Sequence, residues 1–277
     1  MLNNFYIEEH VKRALEEDIG FGDITTDYLT NEDDKMKCEL NSRVDGILCG
    51  KAVFETVFKV LSQDVEVKFY FKDGDAIKKG DKLAEIKGPA RYILMGERVA
   101  LNYIQRMSGI ATETNKYQKA IGEYQAKIVD TRKTTPLFRA FEKYSVKTGG
   151  GSLHRFNLSD CAMIKDNHIK YAGSLTKAVE KLKKDLSHAH KIEVECDTKE
   201  QVKEAIECGA DIIMLDNMDL NEMKECVQLI NGRAIVEASG NVNLSTVHDI
   251  ASTGVDIISS SAIVAKAPTL DLGLDCK

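Results

Sequence analysis

From residue 128 onward the chain repeats one pattern. Short β-rich runs at 128–129, 162–164, 192–194, 212–215, 234–236 and 255–258 are separated by longer stretches, and helical patterns fill the later gaps. From 192 the strand–helix–strand unit recurs about every 20 residues, the mark of successive βα units around a parallel sheet. The helix ends are legible. Thr198 and Gln201 form a capping box and Gly209 closes that helix; Asp219 and Glu222 open the next and Gly232 closes it; Asn243 caps a third that Gly254 ends. Six strands of this kind predict an incomplete (β/α) barrel rather than a doubly wound sheet, since no Gly-x-Gly-x-x-Gly follows the first strand.

The preceding third has a different texture. Ile7, Val11, Ala14 and Leu15 predict an amphipathic helix that Gly20 stops. Residues 36–95 read as a β-module, short apolar stretches between turn signals such as 44–46 and 72–75. The turns at 74–81 resemble lipoyl-domain hairpins, yet no lysine sits at a tip for attachment, so the module is structural. A long helix is expected over 97–121. The fold expected is therefore α/β: an N-terminal α/β, open-sandwich-like domain at 1–110 and a (β/α) barrel at 111–277. Roughly the last ten residues are expected to return to the first domain.

Charge narrows the function. The 44 acids outnumber 38 bases for a net −6, which argues against a nucleic-acid binder. No run approaches about 18 apolar residues, so no membrane span is expected. The N-terminus lacks a basic stretch followed by an apolar one, so no signal peptide is expected. Seven cysteines without a C-x-x-C pair predict reduced thiols in a cytoplasmic protein.

Against that acidic background, residues 130–170 carry eight bases (Arg132, Lys133, Arg139, Lys143, Lys147, Arg155, Lys165, Lys170) and four acids. Lys143 and Lys147 read as surface residues of a helix capped by Thr135 and begun by Pro136, with Leu137, Ala140, Phe141 and Tyr144 buried. Arg132 and Lys133 then lie in the loop leading into a helix N-terminus, which suits an anion. Gly149-Gly150-Gly151 before His154-Arg155 reads either as a helix exit or as a loop that admits a ligand. Polar groups follow every strand: Asp130–Lys133, then Lys165–His168, Glu195, Asp216-Asn217, Glu237 with Ser239-Gly240-Asn241, and Ser259-Ser260-Ser261. A barrel gathers all of these on one rim, where such folds place active sites. Glu195 and Asp216 are the candidate carboxylates for magnesium. A lysine ending a strand is also what a Schiff-base aldolase needs, and a non-catalytic anion binder would carry the same cations.

These residues fall into motifs that resemble the quinolinate phosphoribosyltransferase family. Glu17-Asp18-Ile19-Gly20, Gly22-Asp23-Ile24-Thr25-Thr26, Glu97-Arg98 and Ser108-Gly109-Ile110-Ala111-Thr112 match in order, and Asp130-Thr131-Arg132-Lys133-Thr134-Thr135-Pro136 is the most diagnostic. Ile164-Lys165-Asp166-Asn167-His168, Glu193-Val194-Glu195, Leu215-Asp216-Asn217 and Glu237-Ala238-Ser239-Gly240-Asn241 continue the match. The resemblance implies transfer of a phosphoribosyl group from phosphoribosyl pyrophosphate to quinolinate with loss of carbon dioxide, assisted by Mg2+, in NAD biosynthesis. It also implies a homodimer with shared sites. Quinolinate would meet Arg98 of a partner subunit, Arg132, Lys133, His154, Arg155 and Lys165. The phosphoribosyl side would use Lys133, Lys165, Glu195, Asp216, Ser239, Gly240, Asn241, Ser261 and Ala262, with Lys133, Glu195 and Asp216 catalytic. Leu153, Asn157 and Ser261 depart from the family's usual residues (Asn, Gly and Gly).

Overall fold

The computed structural model describes residues 2–276. The chain forms two compact units, one of residues up to 115 with 136–150 and 267 onward, the other of 116–135 and 151–266.

The first unit opens with α1 (Asn4–Ile19), which buries Ile7, Val11 and Leu15 and ends at Gly20 in a positive-φ conformation. There follow α2 (Ile24–Leu29), β1 (Lys35–Ser42), β2 (Gly46–Ile47), α3 (Lys51–Leu61), β3 (Glu66–Phe69), β4 (Ala76–Ile77), β5 (Lys82–Pro89) and the long α4 (Ala90–Ile121). The sequence reading of 36–95 as strands and turns missed α3. Its Val53, Phe54, Val57 and Phe58 repeat every four residues and are buried, so tertiary burial of one helical face outweighs the strand preference of Val and Phe. Phe54 packs edge-on to Phe58 and Phe69 at 5.2 and 5.6 Å.

The rest of the chain supplies β6 (Lys127–Val129), α5 (Arg139–Thr148), β7 (Ala162–Ile164), α6 (Asp166–Ala172), α7 (Leu175–Asp185), β8 (Ile192–Cys196), α8 (Lys199–Glu207), β9 (Ile212–Asp216), α9 (Leu220–Ile230), β10 (Ile235–Ser239), α10 (Val247–Ala251), β11 (Ile257–Ser259), α11 (Ala262–Ala265) and β12 (Leu272–Cys276). The α5 helix belongs to the first unit, so the barrel is not the uninterrupted stretch from 111 that the sequence suggested. The C-terminal β12 pairs antiparallel with β1 in a sheet ordered β12-β1-β5-β3. That return sets Cys38 opposite Cys276 and joins them in a disulfide. The expectation that every thiol is reduced is thereby corrected: strand register brings together two cysteines far apart in sequence.

In the second unit six parallel strands run β6-β11-β10-β9-β8-β7. Read cyclically, this is the strand order of a barrel left open between β6 and β7. The capping boxes at Thr198/Gln201 and Asp219/Glu222 are both formed. The chain leaving α5 pairs at Ser152 with Val129 of β6 and then runs to β7, so the 152–161 segment spans the opening.

Candidate active site

Parallel strands point their carboxyl ends the same way, so the loops after them share one end of the second unit. A cavity of about 350 Å³ opens there, lined by Thr131, Arg132, Lys133, His154, Arg155, Met163, Lys165, Glu195, Met214, Glu237, Ser239 and Ser259. Seven of the residues singled out from sequence are therefore in one place: Arg132, Lys133, His154, Arg155, Lys165, Glu195 and Ser239. Asp216, Gly240, Asn241, Ser261 and Ala262 belong to the same unit but do not line this cavity. Arg98 is exposed on α4 in the first unit.

The local reasons are specific. Lys165 ends β7, and its ammonium pairs with the Glu195 carboxylate from the neighbouring β8. Its backbone N–H donates to His168 Nδ1 at 2.9 Å, which fixes the start of α6. Asn217 and Asn241 both adopt the left-handed region, and Asn241 Nδ2 donates to Asn217 Oδ1 at 3.3 Å. Between them Gly240 has φ +91°, and a Cβ there would stand 2.1 Å from Asn217 Oδ1. Only glycine fits, so the loops after β9 and β10 are locked together at the rim.

Arg132 and Lys133 sit in a turn closed by Thr134 N–H donating to Arg132 O at 3.0 Å. The helix after it does not begin where expected. Leu137 takes φ +63° and α5 starts only at Arg139, with Phe138 as an N-cap that makes no side-chain hydrogen bond. Leu137 is exposed and Lys143 is buried, the reverse of the sequence expectation, while Phe141 is buried as expected; Leu137 lies outside the helix, which starts three residues later than Pro136. Gly149 fits tightly in the first unit: a Cβ there would meet Ala111 O at 2.3 Å. This supports helix-exit packing for that glycine rather than a ligand loop.

With Glu237, which the strand-end reading places at the rim, stands a second buried acid, Glu193, that it does not single out. Glu193 and Glu195 are two apart on β8 and share a face, as side chains in strands do. Glu195 sits near the mouth and Glu193 is fully buried, as is Glu237 on β10. His154 Nε2 lies 3.4 Å from Oε1 of both buried glutamates. The Arg155 N–H donates to His154 Nδ1 at 2.7 Å, and the His154 N–H donates to Asp130 Oδ1 at 2.8 Å. Burial opposes a charge on His154, yet the two carboxylates more than reverse this and raise its pKa. Burial, together with the like charge on Glu237, pushes Glu193 upward despite His154. The Arg155 amide aimed at Nδ1 works against a proton on that atom, so of the two neutral tautomers the geometry favours the one with its hydrogen on Nε2, and Nε2 carries a hydrogen in the charged ring as well. Strand alternation is the signal that could have found Glu193, since Glu195 was already assigned to the rim.

A cationic cavity at the carboxyl end of a parallel barrel, with acids set among the cations, defines a barrel enzyme acting on anionic substrates. Models of the quinolinate phosphoribosyl transferase C-terminal and N-terminal domains match residues 110–275 and 23–108. The chain is 40% identical over 274 residues to the probable nicotinate-nucleotide pyrophosphorylase (carboxylating) of Bacillus subtilis, covering 99% of this chain and 94% of that one. It is 40% identical over 287 residues to a mitochondrial quinolinate phosphoribosyltransferase (decarboxylating) of Nicotiana tabacum, covering 97% and 81%. The solved nicotinate-nucleotide pyrophosphorylase of Francisella tularensis superposes with a TM-score of 0.96 at 38% identity, covering 100% and 98%. The chain belongs to the quinolinate phosphoribosyltransferase family, and its activity is decarboxylating phosphoribosyl transfer in NAD biosynthesis.

Proposed function

We propose that the cavity receives quinolinate and phosphoribosyl pyrophosphate side by side and yields nicotinate mononucleotide, pyrophosphate and carbon dioxide. The observation that carries this reading is the convergence of Arg132, Lys133, Arg155 and Lys165 on one cavity. Two anions packed together in a cleft repel by about several kcal/mol at intermediate dielectric, and four cations offset that repulsion. Arg132 and Arg155 offer planar forks to carboxylates, while Met163 and Met214 give an apolar wall for a pyridine ring. His154 lines the same wall with both ring nitrogens held by the protein.

In this reading the pyridine nitrogen attacks the anomeric carbon and the bond to pyrophosphate breaks. Lys133 and Lys165 stabilise the leaving group, and Glu195 faces the positive charge that develops on the ribose. The ring nitrogen, now cationic, draws the electron pair as the 2-carboxylate leaves as carbon dioxide. Carbon 2 then takes up a proton. Ser239, Gly240, Asn241, Ser261 and Ala262 are assigned to the phosphate side.

Magnesium requires oxygen ligands, and both carboxylates at the rim supply them. Glu195 is engaged with Lys165, whereas among the described residues no cation pairs with Asp216; we therefore assign the ion to Asp216. Bound there, it would neutralise pyrophosphate oxygens. Arg98 is assigned to the site of a partner subunit in a homodimer. The exposed Phe21, Ile24, Tyr28 and Leu29 are the kind of apolar patch such an interface covers. Among the described residues no helix is long and apolar enough to cross a membrane. A cytoplasmic location agrees with the five free cysteines, and the Cys38–Cys276 bond is the feature against it. The test is to incubate the purified chain with both substrates and magnesium. Nicotinate mononucleotide and carbon dioxide in equal amounts are expected, and binding without turnover would refute the reading.

A further inference from the structure

Glu193 and Glu237 are puzzling beneath a cavity that collects cations for anions. Two buried carboxylates repel an incoming dianion, and removing them from water is costly unless they are paired. Neither is engaged by Arg132, Lys133 or Lys165 in an ion pair; both face His154 Nε2 at 3.4 Å. The three ligand atoms lie within 4.8 Å of one another, a spacing that would suit a metal ion. The hydrogen bonding argues otherwise. A ligating imidazole gives its lone pair to the metal and donates its other N–H to the protein. Here Nδ1 accepts the Arg155 N–H at 2.7 Å. In the neutral ring the hydrogen is therefore on Nε2, facing the acids, and the charged ring carries one there too, so neither form leaves a lone pair on Nε2 for a cation.

What His154 does hold is the segment across the open side of the barrel. Its own N–H is tied to Asp130 at the end of β6, and its Nδ1 to the backbone of Arg155. Arg155 in turn reaches Cys161 O with Nη1 at 2.8 Å and Met163 Sδ with Nη2 at 3.4 Å, at the entry to β7. The 152–161 segment is thus stitched to both edge strands, and the ring of His154 is its inward anchor. Its hold on the inner strands β8 and β10 is the Nε2 contact with the two acids.

We propose that Glu193 and Glu237 are positioning residues for the quinolinate side of the cavity: as ion-pair partners 3.4 Å from His154 Nε2, their carboxylate oxygens, otherwise unpartnered among the described residues, hold that ring, and so hold Arg155 where a pyridine dicarboxylate meets it. This inference rests on the function proposed above. It explains why acids are placed under a cationic site. They act on the ligand through the segment they fix, Glu193 from behind the ring and Glu237 from the cavity wall beside it.

The test is a set of full-length variants assayed for turnover with each substrate varied in turn. Glu237→Gln and Glu193→Gln keep size and shape but remove the charge of one partner of His154. Each is expected to raise KM for quinolinate about tenfold, with KM for phosphoribosyl pyrophosphate within about twofold. Because the acids act through one ring, combining Glu237→Gln with His154→Ala should cost no more than His154→Ala alone. Glu237→Asp, which keeps the charge, should recover part of the loss, and it carries the test with Glu193→Gln should Glu237→Gln fail to fold. Equal rises in both KM values, additive losses in the double variant, or one transition-metal ion per chain by elemental analysis would overturn the proposal. A wild-type chain that makes no nicotinate mononucleotide would defeat the proposed function itself. An active wild type with unmoved variants defeats only the clamp.

Discussion

On the solvent-facing side of the β1–β5 sheet, Glu85 meets Lys37 and Lys82 at 2.8 Å and Lys87 at 2.7 Å, and Lys82 also reaches Glu39 at 2.8 Å. The rim of the barrel is built from the same residue types with a different outcome. Lys165 has one carboxylate, Glu195, while Arg132 and Lys133 pair with no carboxylate among the described residues. The sheet settles its charges among neighbours on adjacent strands, where cross-strand register places them. The rim leaves cations over and turns them toward a cavity. A charged cluster therefore reads as a site when its partners are missing, and as surface when each charge has an answer nearby.

The largest effect that would break this contrast is loss of a rim cation. Lys165→Ala removes a charge from the cavity and leaves Glu195 uncompensated, so kcat/KM should fall roughly a thousandfold with little change in unfolding midpoint. Steady-state kinetics beside a thermal melt checks both halves. The same variant tests the shared site. Refolded in equal amounts with Arg98→Ala chains, it should form hybrids in which one site of two is intact, returning about a quarter of wild-type activity. A mixture that stays inactive although hybrids form would place Arg98 outside the partner's site.

Arg132→Ala should act less broadly. With a neighbouring lysine still present, the loss should fall on the ligand that needs a planar fork. Quinolinate affinity is expected to drop about ten- to a hundredfold and phosphoribosyl pyrophosphate affinity only a few-fold. Calorimetric titration of each substrate separates the two, and equal losses would mean that Arg132 supplies charge alone.

These rim residues were legible because a strand followed by a polar group repeats six times, and the spacing survives without any knowledge of packing. The roles of the buried acids were less legible, although Glu237 was legible at a strand end. Glu193 and Glu237 lie inside strands, where burial and the neighbour across the barrel, not the local pattern, decide what an acid does. The α5 start misled for a related reason. Thr135-Pro136 has the form of a helix beginning, but Leu137 turns into the left-handed region and stays outside the helix, exposed, while Lys143 within it is buried. The α3 helix was hidden by β-branched and aromatic residues whose own preference is for strands. The Cys38–Cys276 pairing needs the register of two strands from opposite ends of the chain, which no local signal carries.

The smallest effect should come from the sheet. The three lysines hold the Glu85 carboxyl well below the ordinary glutamate value of 4.5, hydrogen bonds from Lys37, Lys82 and Lys87 being the main cause. A carboxylate depressed in the folded state adds stability that is fully present above its unfolded pKa and is lost as pH falls through the folded one. Glu85→Gln should therefore lower the melting temperature slightly at neutral pH, and the gap from wild type should close progressively below pH about 4.5. Because these side chains meet solvent, the gap should also shrink at about 1 M salt. Activity should be unchanged throughout, since the sheet's charges answer one another. If Glu85→Gln instead changed KM for either substrate, pairing would no longer separate surface charge from site charge.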